Sequence, residues 1–342
     1  MRRVLVARLD SLGDVVLSGP AIRAVAAHAE VVLLTGPRGA AVASMLPGVN
    51  EHLVWDCPWI ANPAPPVTPR RVRRLERLLD HAGIDEAVIL TSFHQSALPL
   101  AFELRLSGVQ RITALSEDYP GSLLDVRLTS RDLPWELHEV DRALGIAAAA
   151  GFALPADDDG LPALVPQPRT SLRPSGEYVV VHPGADAPAR TWPPEHAAEL
   201  VSMLAAEGFR VVVSGNDTER ELTARVAGSH GIDVGGATDL RGLVDLLAGA
   251  SAVVVGNTGP AHLAAAVRTP VVSLFSPVVA AGTWAPRGSA VEVLGDQSAA
   301  CAGSRARICP VPGHPCLAGV TPHEVLRAVE RLVSHNTKAV PV

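Results

Sequence analysis

The 342-residue chain is 48% apolar and carries a formal net charge of −6. At about 150 residues per domain it is long enough for two buried cores, and its composition excludes a disordered chain and, for want of a blanket positive field, a general nucleic-acid binder. Four cysteines in this length are no disulfide scaffold, and no uncharged apolar stretch reaches the about 18 residues of a membrane span.

The opening apolar run flows into a motif and not into a signal-peptide cleavage site, so a cytoplasmic protein is expected. Residues 4–7 (VLVA) read as a strand, followed by a loop and one amphipathic helix over 15–28 with Pro20 in its first turns. Residues 31–35, 87–91 and 109–113 are further strands. Their apolar runs lack alternation, which suits strands buried on both faces of a parallel sheet. Between them, Arg70, Arg71, Arg73, Arg74 and Arg77 form a basic run. It reads as a solvated helix face, or as a contact for an anionic membrane surface or an acidic acceptor. Prolines 155, 162, 166, 168 and 174 and the Asp157-Asp158-Asp159-Gly160 turn then mark a linker over 155–175.

The strand–helix rhythm restarts beyond the linker. Strands are expected at 178–181, 210–214, 252–255 and 271–275, and helices at 194–207, 217–227, 240–250 and 259–267. A last helix over 321–333 opens on a capping box of Thr321 and Glu324. The fold class is therefore α/β: two Rossmann-like domains, 1–165 and 176–333, with parallel sheets facing a cleft.

Four loops at strand ends carry the chemistry, because ligands of open α/β sheets gather there. The first is Arg8-Leu9-Asp10-Ser11-Leu12-Gly13-Asp14. Gly13 permits close backbone approach. Asp14 either caps the following helix or serves as a general base for an acceptor hydroxyl. The second is His182-Pro183-Gly184-Ala185 with Arg190-Thr191-Trp192-Pro193, where Arg190 suits a phosphate or a surface ion pair. The third is Gly215-Asn216-Asp217-Thr218-Glu219, whose acidic residues suit ribose hydroxyls or a helix N-terminus. The fourth, Gly256-Asn257-Thr258-Gly259-Pro260-Ala261-His262, joins a strand to a helix with proline in its first turn. Free N–H groups there, aligned with the helix dipole, suit a pyrophosphate, and His262 lies one turn in.

At these residues the sequence resembles the bacterial heptosyltransferases, glycosyltransferase family nine. Arg8 to Val16, His182-Pro183-Gly184 with Arg190 and Trp192, and Gly256 to Leu263 match the family's motifs in order and separation. The resemblance implies a GT-B architecture, with the acceptor mainly on the first domain and the nucleotide sugar mainly on the second. It implies inverting, metal-independent transfer, typically of heptose from an ADP-linked donor to a lipopolysaccharide core, with no cofactor. Asp14 matches the family's catalytic base. Thr258, Gly259 and His262 match the diphosphate-binding turn, and Glu219 an acidic residue near the nucleoside. Ser11, Gly13, His182, Gly184 and Trp192 fall in the supporting loops. Arg190 stands where the family often has lysine near the donor phosphates, and Asn257, near the donor sugar, stands where many members carry aspartate. The partners implied are a nucleotide sugar and a glycan or glycolipid acceptor, with at most peripheral contact with the inner membrane surface.

Other readings are a transferase for a secondary metabolite or another envelope glycan, and a nucleotide-sugar-binding protein without catalysis. Retained Asp14 speaks against the latter. An NAD-dependent enzyme is excluded because no G-x-G-x-x-G follows the first strand. Cys301, Cys309, His314 and Cys316 lie close in sequence and are of zinc-ligand type, but their spacing is unlike a finger, and packed thiols are the more ordinary expectation.

Overall fold

The structure, a computed structural model, describes residues 2–61, 63–92, 94–288 and 290–337, with side chains to 334; Met1 lies outside them. Its contacts divide the chain into two compact units that meet in sequence at Val165 and Pro166.

The first unit opens with β1 (Arg3–Arg8), α1 (Leu12–Leu17), α2 (Gly19–Ala26), β2 (Glu30–Thr35), α3 (Pro37–Ala43) and β3 (Val49–Val54). It continues with α4 (Pro69–Ala82), β4 (Glu86–Ile89), α5 (Leu98–Leu106), β5 (Arg111–Leu115), β6 (Val126–Leu128) and α6 (Glu139–Ala149). All six strands are parallel, in the order β3-β2-β1-β4-β5-β6.

The second unit starts with β7 (Tyr178–His182), a 3-10 turn at Pro188–Arg190, α7 (Pro194–Ala206) and β8 (Arg210–Val213). A second 3-10 turn at Asp217–Glu219 leads into α8 (Arg220–Ala227), β9 (Gly231–Asp233), α9 (Leu240–Ala248), β10 (Ala252–Gly256) and α10 (Gly259–Ala266). Then come β11 (Val271–Leu274), α11 (Ala281–Trp284), β12 (Val291–Leu294), α12 (Pro315–Ala318) and α13 (Pro322–Thr337). The sheet order is β12-β11-β10-β7-β8-β9, again all parallel. Counted from its own first strand, this is the permutation of the first unit.

Each sheet is doubly wound, so the strand order reverses beside β1 in one unit and beside β7 in the other, and a crevice opens at that switch point. The central strands are buried on both faces, as their unbroken apolar runs require. Among the described residues, no helix is long and apolar enough to cross a membrane.

Two expectations need correction. The single helix over 15–28 is two helices, broken at Ser18, which ends α1 and begins α2. Its N–H still bonds back to the Asp14 and Val15 carbonyls, while Gly19 and Pro20 start a new helix; proline carries no N–H and tolerates only a first turn. The strand expected over 109–113 lies two residues later, at Arg111–Leu115. The Thr321–Glu324 capping box is present, with the Glu324 carboxylate accepting from the Thr321 N–H and hydroxyl at 2.8 Å each.

The proline-rich stretch over 155–174 holds no helix or strand. Its first part is fastened to the first unit by a two-pronged bond from Arg23 to Asp158, 2.6 Å on each side. Its second part is fastened to the second unit, where buried Asp245 accepts from Thr170 and Arg173.

Candidate active site

In the first unit, β1 delivers Arg8 to the switch point and the β1–α1 turn delivers Asp10, Ser11 and Asp14. The Asp14 carboxylate does both things its sequence position allows. Its Oδ2 accepts from the Ser11 N–H at 3.1 Å and the Ser11 hydroxyl at 2.6 Å, which caps α1. Its Oδ1 turns to the Arg8 guanidinium, 3.3 Å away, and the side chain keeps 16% exposure. Asp10 has no such freedom: it is 6% exposed and accepts from Arg8, Ser92 and Gln95 at 2.7–2.8 Å. Asp14 is thus the carboxylate of this turn that an incoming hydroxyl can reach.

Arg8 itself is buried, and its other amino group donates to Glu139 at 3.0 Å. Glu139 also pairs with Arg142, one turn along α6, and Arg142 donates to the Trp135 carbonyl and stacks on its ring. Burial first, and the positive charge of Arg8 second, draw the Arg142 guanidinium down to about 10, still protonated at neutral pH. Two cations therefore hold three carboxylates in a nearly dry cluster, an arrangement that is tolerated only with its hydrogen bonds in place.

Sequence reasoning singled out Asp14, Ser11 and Gly13 but gave no role to Arg8, Asp10, Ser92, Gln95, Glu139 or Arg142. Arg8 and Asp10 stood inside the quoted motif and could have been found there. Glu139 lies 131 positions from its partner Arg8, and nothing local marks it.

In the second unit, the turns after β8, β7 and β10, three neighbouring strands, come together. Gly184 sits beneath the Glu219 carboxyl group; a Cβ there would lie 2.0 Å from Oε1. Glu219 also accepts from the Asn216 N–H at 2.8 Å, so it caps its turn while lying over the His182–Gly184 loop. Gly256 has the same kind of reason: its Cβ would lie 2.6 Å from the Arg190 carbonyl oxygen. That close approach seats Arg190 at the end of β10, where its guanidinium donates to the Asn257 carbonyl at 3.3 Å. Thr258 is the extended N-cap residue of α10, and Gly259, Pro260, Ala261 and His262 form the helix's first turn. A cation, a helix N-terminus and a carboxylate are thus grouped at the β7/β10 switch point, which suits a nucleoside diphosphate.

Asn257 is buried, with its amide spent on the main chain: it accepts from the Ser276 N–H and donates to the Ser276 carbonyl, both at 3.3 Å. A carboxylate could make only the first of these bonds. Trp192 packs in the core and donates to the Val320 carbonyl at 3.1 Å, which ties the Arg190 turn to the segment between α12 and α13. Among the described residues no group of three His, Cys, Asp or Glu is placed to hold a metal. His314 faces the Ala189 carbonyl at 3.1 Å. Cys301 and Cys316 are buried, and burial pushes the Cys316 thiol up to about 11.

His182 is a buried base beside the Ser214 hydroxyl, 3.0 Å from Nδ1. Burial pushes its imidazole from 6.5 down to about 4. The unfolded chain therefore binds a proton that the folded unit refuses. Stability is complete above about pH 6.5 and is lost as pH falls toward 4, by about 3 kcal/mol for a shift of this size. Hydrogen exchange of the β7 amides across that window should show this slope, and His182→Gln should flatten it. An unchanged slope in the variant would assign it to other groups.

A family model described as glycosyltransferase family 9 (heptosyltransferase) matches residues 72–312. The match begins beyond Asp14, so the reading of Asp14 stands on its own geometry. Lipopolysaccharide heptosyltransferase 2 of Escherichia coli strain K12 is 30% identical over 226 residues, 60% of this chain and 63% of that protein. The match thus spans under two thirds of that relative's length. The solved structure of E. coli ADP-heptose lps heptosyltransferase II has a TM-score of 0.74 at 22% identity, over 98% of this chain and 100% of the other. E. coli heptosyltransferase WaaC with ADP gives 0.72 at 20%, over 96% and 99%. At these identities the structural likeness speaks for the fold, a GT-B pair of α/β units.

Proposed function

Since the chain belongs to glycosyltransferase family 9, the heptosyltransferases, we propose that it transfers heptose, or a related sugar, from an ADP-linked donor. The acceptor is a hydroxyl of a cell-envelope or lipopolysaccharide-core-type glycan, and the transfer is a single inverting displacement without a metal. The observation that carries this reading is the grouping of Arg190, the first turn of α10 and Glu219 at the carboxyl ends of β8, β7 and β10. The similar WaaC structure holds ADP, which supports an adenine nucleotide here. The cytoplasm, with access to the membrane surface, is part of the same reading.

In this mechanism the acceptor oxygen bonds to the anomeric carbon as the bond from that carbon to the diphosphate breaks. The hydroxyl proton passes to Asp14, whose Oδ1 is the less engaged oxygen of the turn. The diphosphate leaves with growing negative charge, which Arg190 and the α10 N–H groups are oriented to stabilise. Arginine in place of lysine keeps the charge and offers a planar fork to two phosphate oxygens. What supports a heptose donor despite Asn257 is that its amide is occupied by Ser276, a structural reason for the residue.

Calorimetry with ADP, UDP, GDP and ADP-heptose tests the proposal. ADP and its sugar are expected to bind selectively, and Arg190→Ala to weaken ADP by about ten- to a hundredfold, the worth of one charge-assisted bond. Glu219→Ala should weaken ADP more than inorganic pyrophosphate. Selective binding of UDP or GDP would keep a glycosyltransferase and overturn the ADP-linked donor.

A further inference from the structure

One face of the first unit is left unused by the proposed chemistry. Helices α4 and α5 cover the same side of the sheet: Leu75 and Leu79 of one, and Leu100, Ala101 and Leu104 of the other, share a core cluster with Leu5, Ala7 and Leu34. The two helices are also close enough that the Glu76 charge on α4, added to burial, holds the Glu103 carboxyl on α5 above its ordinary range. Their outward sides therefore form one continuous surface.

That surface has an unusual make-up. Leu75, Leu79 and Ala82 point inward from α4, and the opposite side of the helix presents exposed Arg70, Arg73, Arg74 and Arg77. Arg71 is tied to Asp56, whereas those four make no ion pair among the described residues. Val67 stands 66% exposed just before the helix. On α5, Pro99, Phe102 and Leu106 line up outward at helical spacing; Phe102 is 50% and Leu106 64% exposed. The acidic groups nearby are Glu76 and Asp80 on α4, on the flank of the arginine stripe, and Glu103, which is buried.

We propose that the α4–α5 face docks the protein on an anionic lipid surface, the arginines meeting phosphate headgroups while Val67, Phe102 and Leu106 enter the boundary of the acyl region. Charge complementarity selects this occupant. A nucleic acid or an acidic protein would satisfy the arginines and leave the apolar side chains in water, and a second copy of this chain, at a net charge of −6, would set arginine against arginine across a symmetric contact. Basic and apolar side chains sharing one helical surface are the combination that interfacial binding requires, and each arginine near such a surface is worth roughly a fivefold change in partition. The inference is independent of which sugar or nucleotide the second unit takes.

Sedimentation of the full chain with vesicles tests it. Vesicles of phosphatidylglycerol mixed with phosphatidylcholine should carry the protein down, pure phosphatidylcholine vesicles should not, and added salt should weaken the binding. Joint replacement of Arg70, Arg73, Arg74 and Arg77 by alanine should lower partition by about a hundredfold or more. Alanine favours helix, so the variant should keep the wild-type melting temperature. The four-lysine variant, which keeps the charge, should bind like wild type. Phe102→Ala with Leu106→Ala should lower binding less and leave a remainder that is more sensitive to salt. Equal binding to neutral and anionic vesicles, unchanged binding by the four-alanine variant, or an oligonucleotide bound as tightly with the same sensitivity to all three variants, would overturn the proposal.

Discussion

Asp14→Asn is expected to lower kcat by about a hundredfold to ten-thousandfold, the usual worth of a general base, with ADP affinity unchanged. Asparagine is the informative choice. The Asp14 carboxylate holds the start of α1 by accepting from Ser11, and alanine would remove that cap as well, at about 1 kcal/mol. An amide oxygen still accepts from the Ser11 N–H, so the variant keeps the turn and loses the proposed proton acceptor. It also leaves Arg8 and Arg142 facing Asp10 and Glu139, a cluster that is balanced rather than overcharged. Turnover with ADP-heptose and a glycan acceptor, measured beside calorimetry of ADP, separates the two effects. A variant that binds ADP and turns over at close to the wild-type rate would remove Asp14 from the mechanism and leave it as a cap.

The second large effect is structural. Arg8→Met keeps the length of the side chain and deletes its charge, so Asp10, Asp14 and Glu139 are left with Arg142 alone, and Arg142 reaches only Glu139. Breaking a buried pair by removing one partner costs about 3–5 kcal/mol, because the remaining charge stays out of water without compensation. Hydrogen exchange of the β1 and β4 amides reads this directly and does not require the whole chain to unfold in one step. Arg8→Lys should recover part of the stability, because a single ammonium supplies charge but not the fork that reaches Glu139 on one side and the Asp10–Asp14 turn on the other. Protection in the Met variant within about 1 kcal/mol of wild type, a typical single-mutation effect, would show that the cluster does not depend on Arg8.

The strands that sequence patterning brought out are those with neighbours on both sides. β1, β2, β7 and β10 are apolar along nearly their whole length because helices cover both faces. The four that it passed over are β3, β6, β9 and β12, and these are the four sheet edges. Each is half open to water, so Asn50, Glu51 and His52 in β3 or Glu292 in β12 interrupt the apolar run that marks a buried strand. The residues of the second-unit site were legible because each lies within a short turn after its own strand. The Arg8 cluster was not, since its partners come from β1, the turn after β4, and α6, and only the folded sheet makes them neighbours.

That separation along the chain has a kinetic side. The bond between Arg8 and Glu139 closes a loop of 131 residues, and β1 pairs with β4 only after two other strands and their helices have been threaded past. Such contacts are costly in loop entropy and come late, after the local helices and the pairing of β1 with β2. During synthesis the first residues of the candidate base site leave the ribosome early, yet their counter-charge on α6 follows only when the first unit is almost complete. Until then Arg8 has no reason to leave water, and the turn that carries Asp14 is held by its own cap alone. Assembly of the charged cluster therefore reports completion of the whole first unit: a chain stopped short of α6 contains Arg8, Asp10 and Asp14 but lacks the carboxylate against which Arg8 is buried.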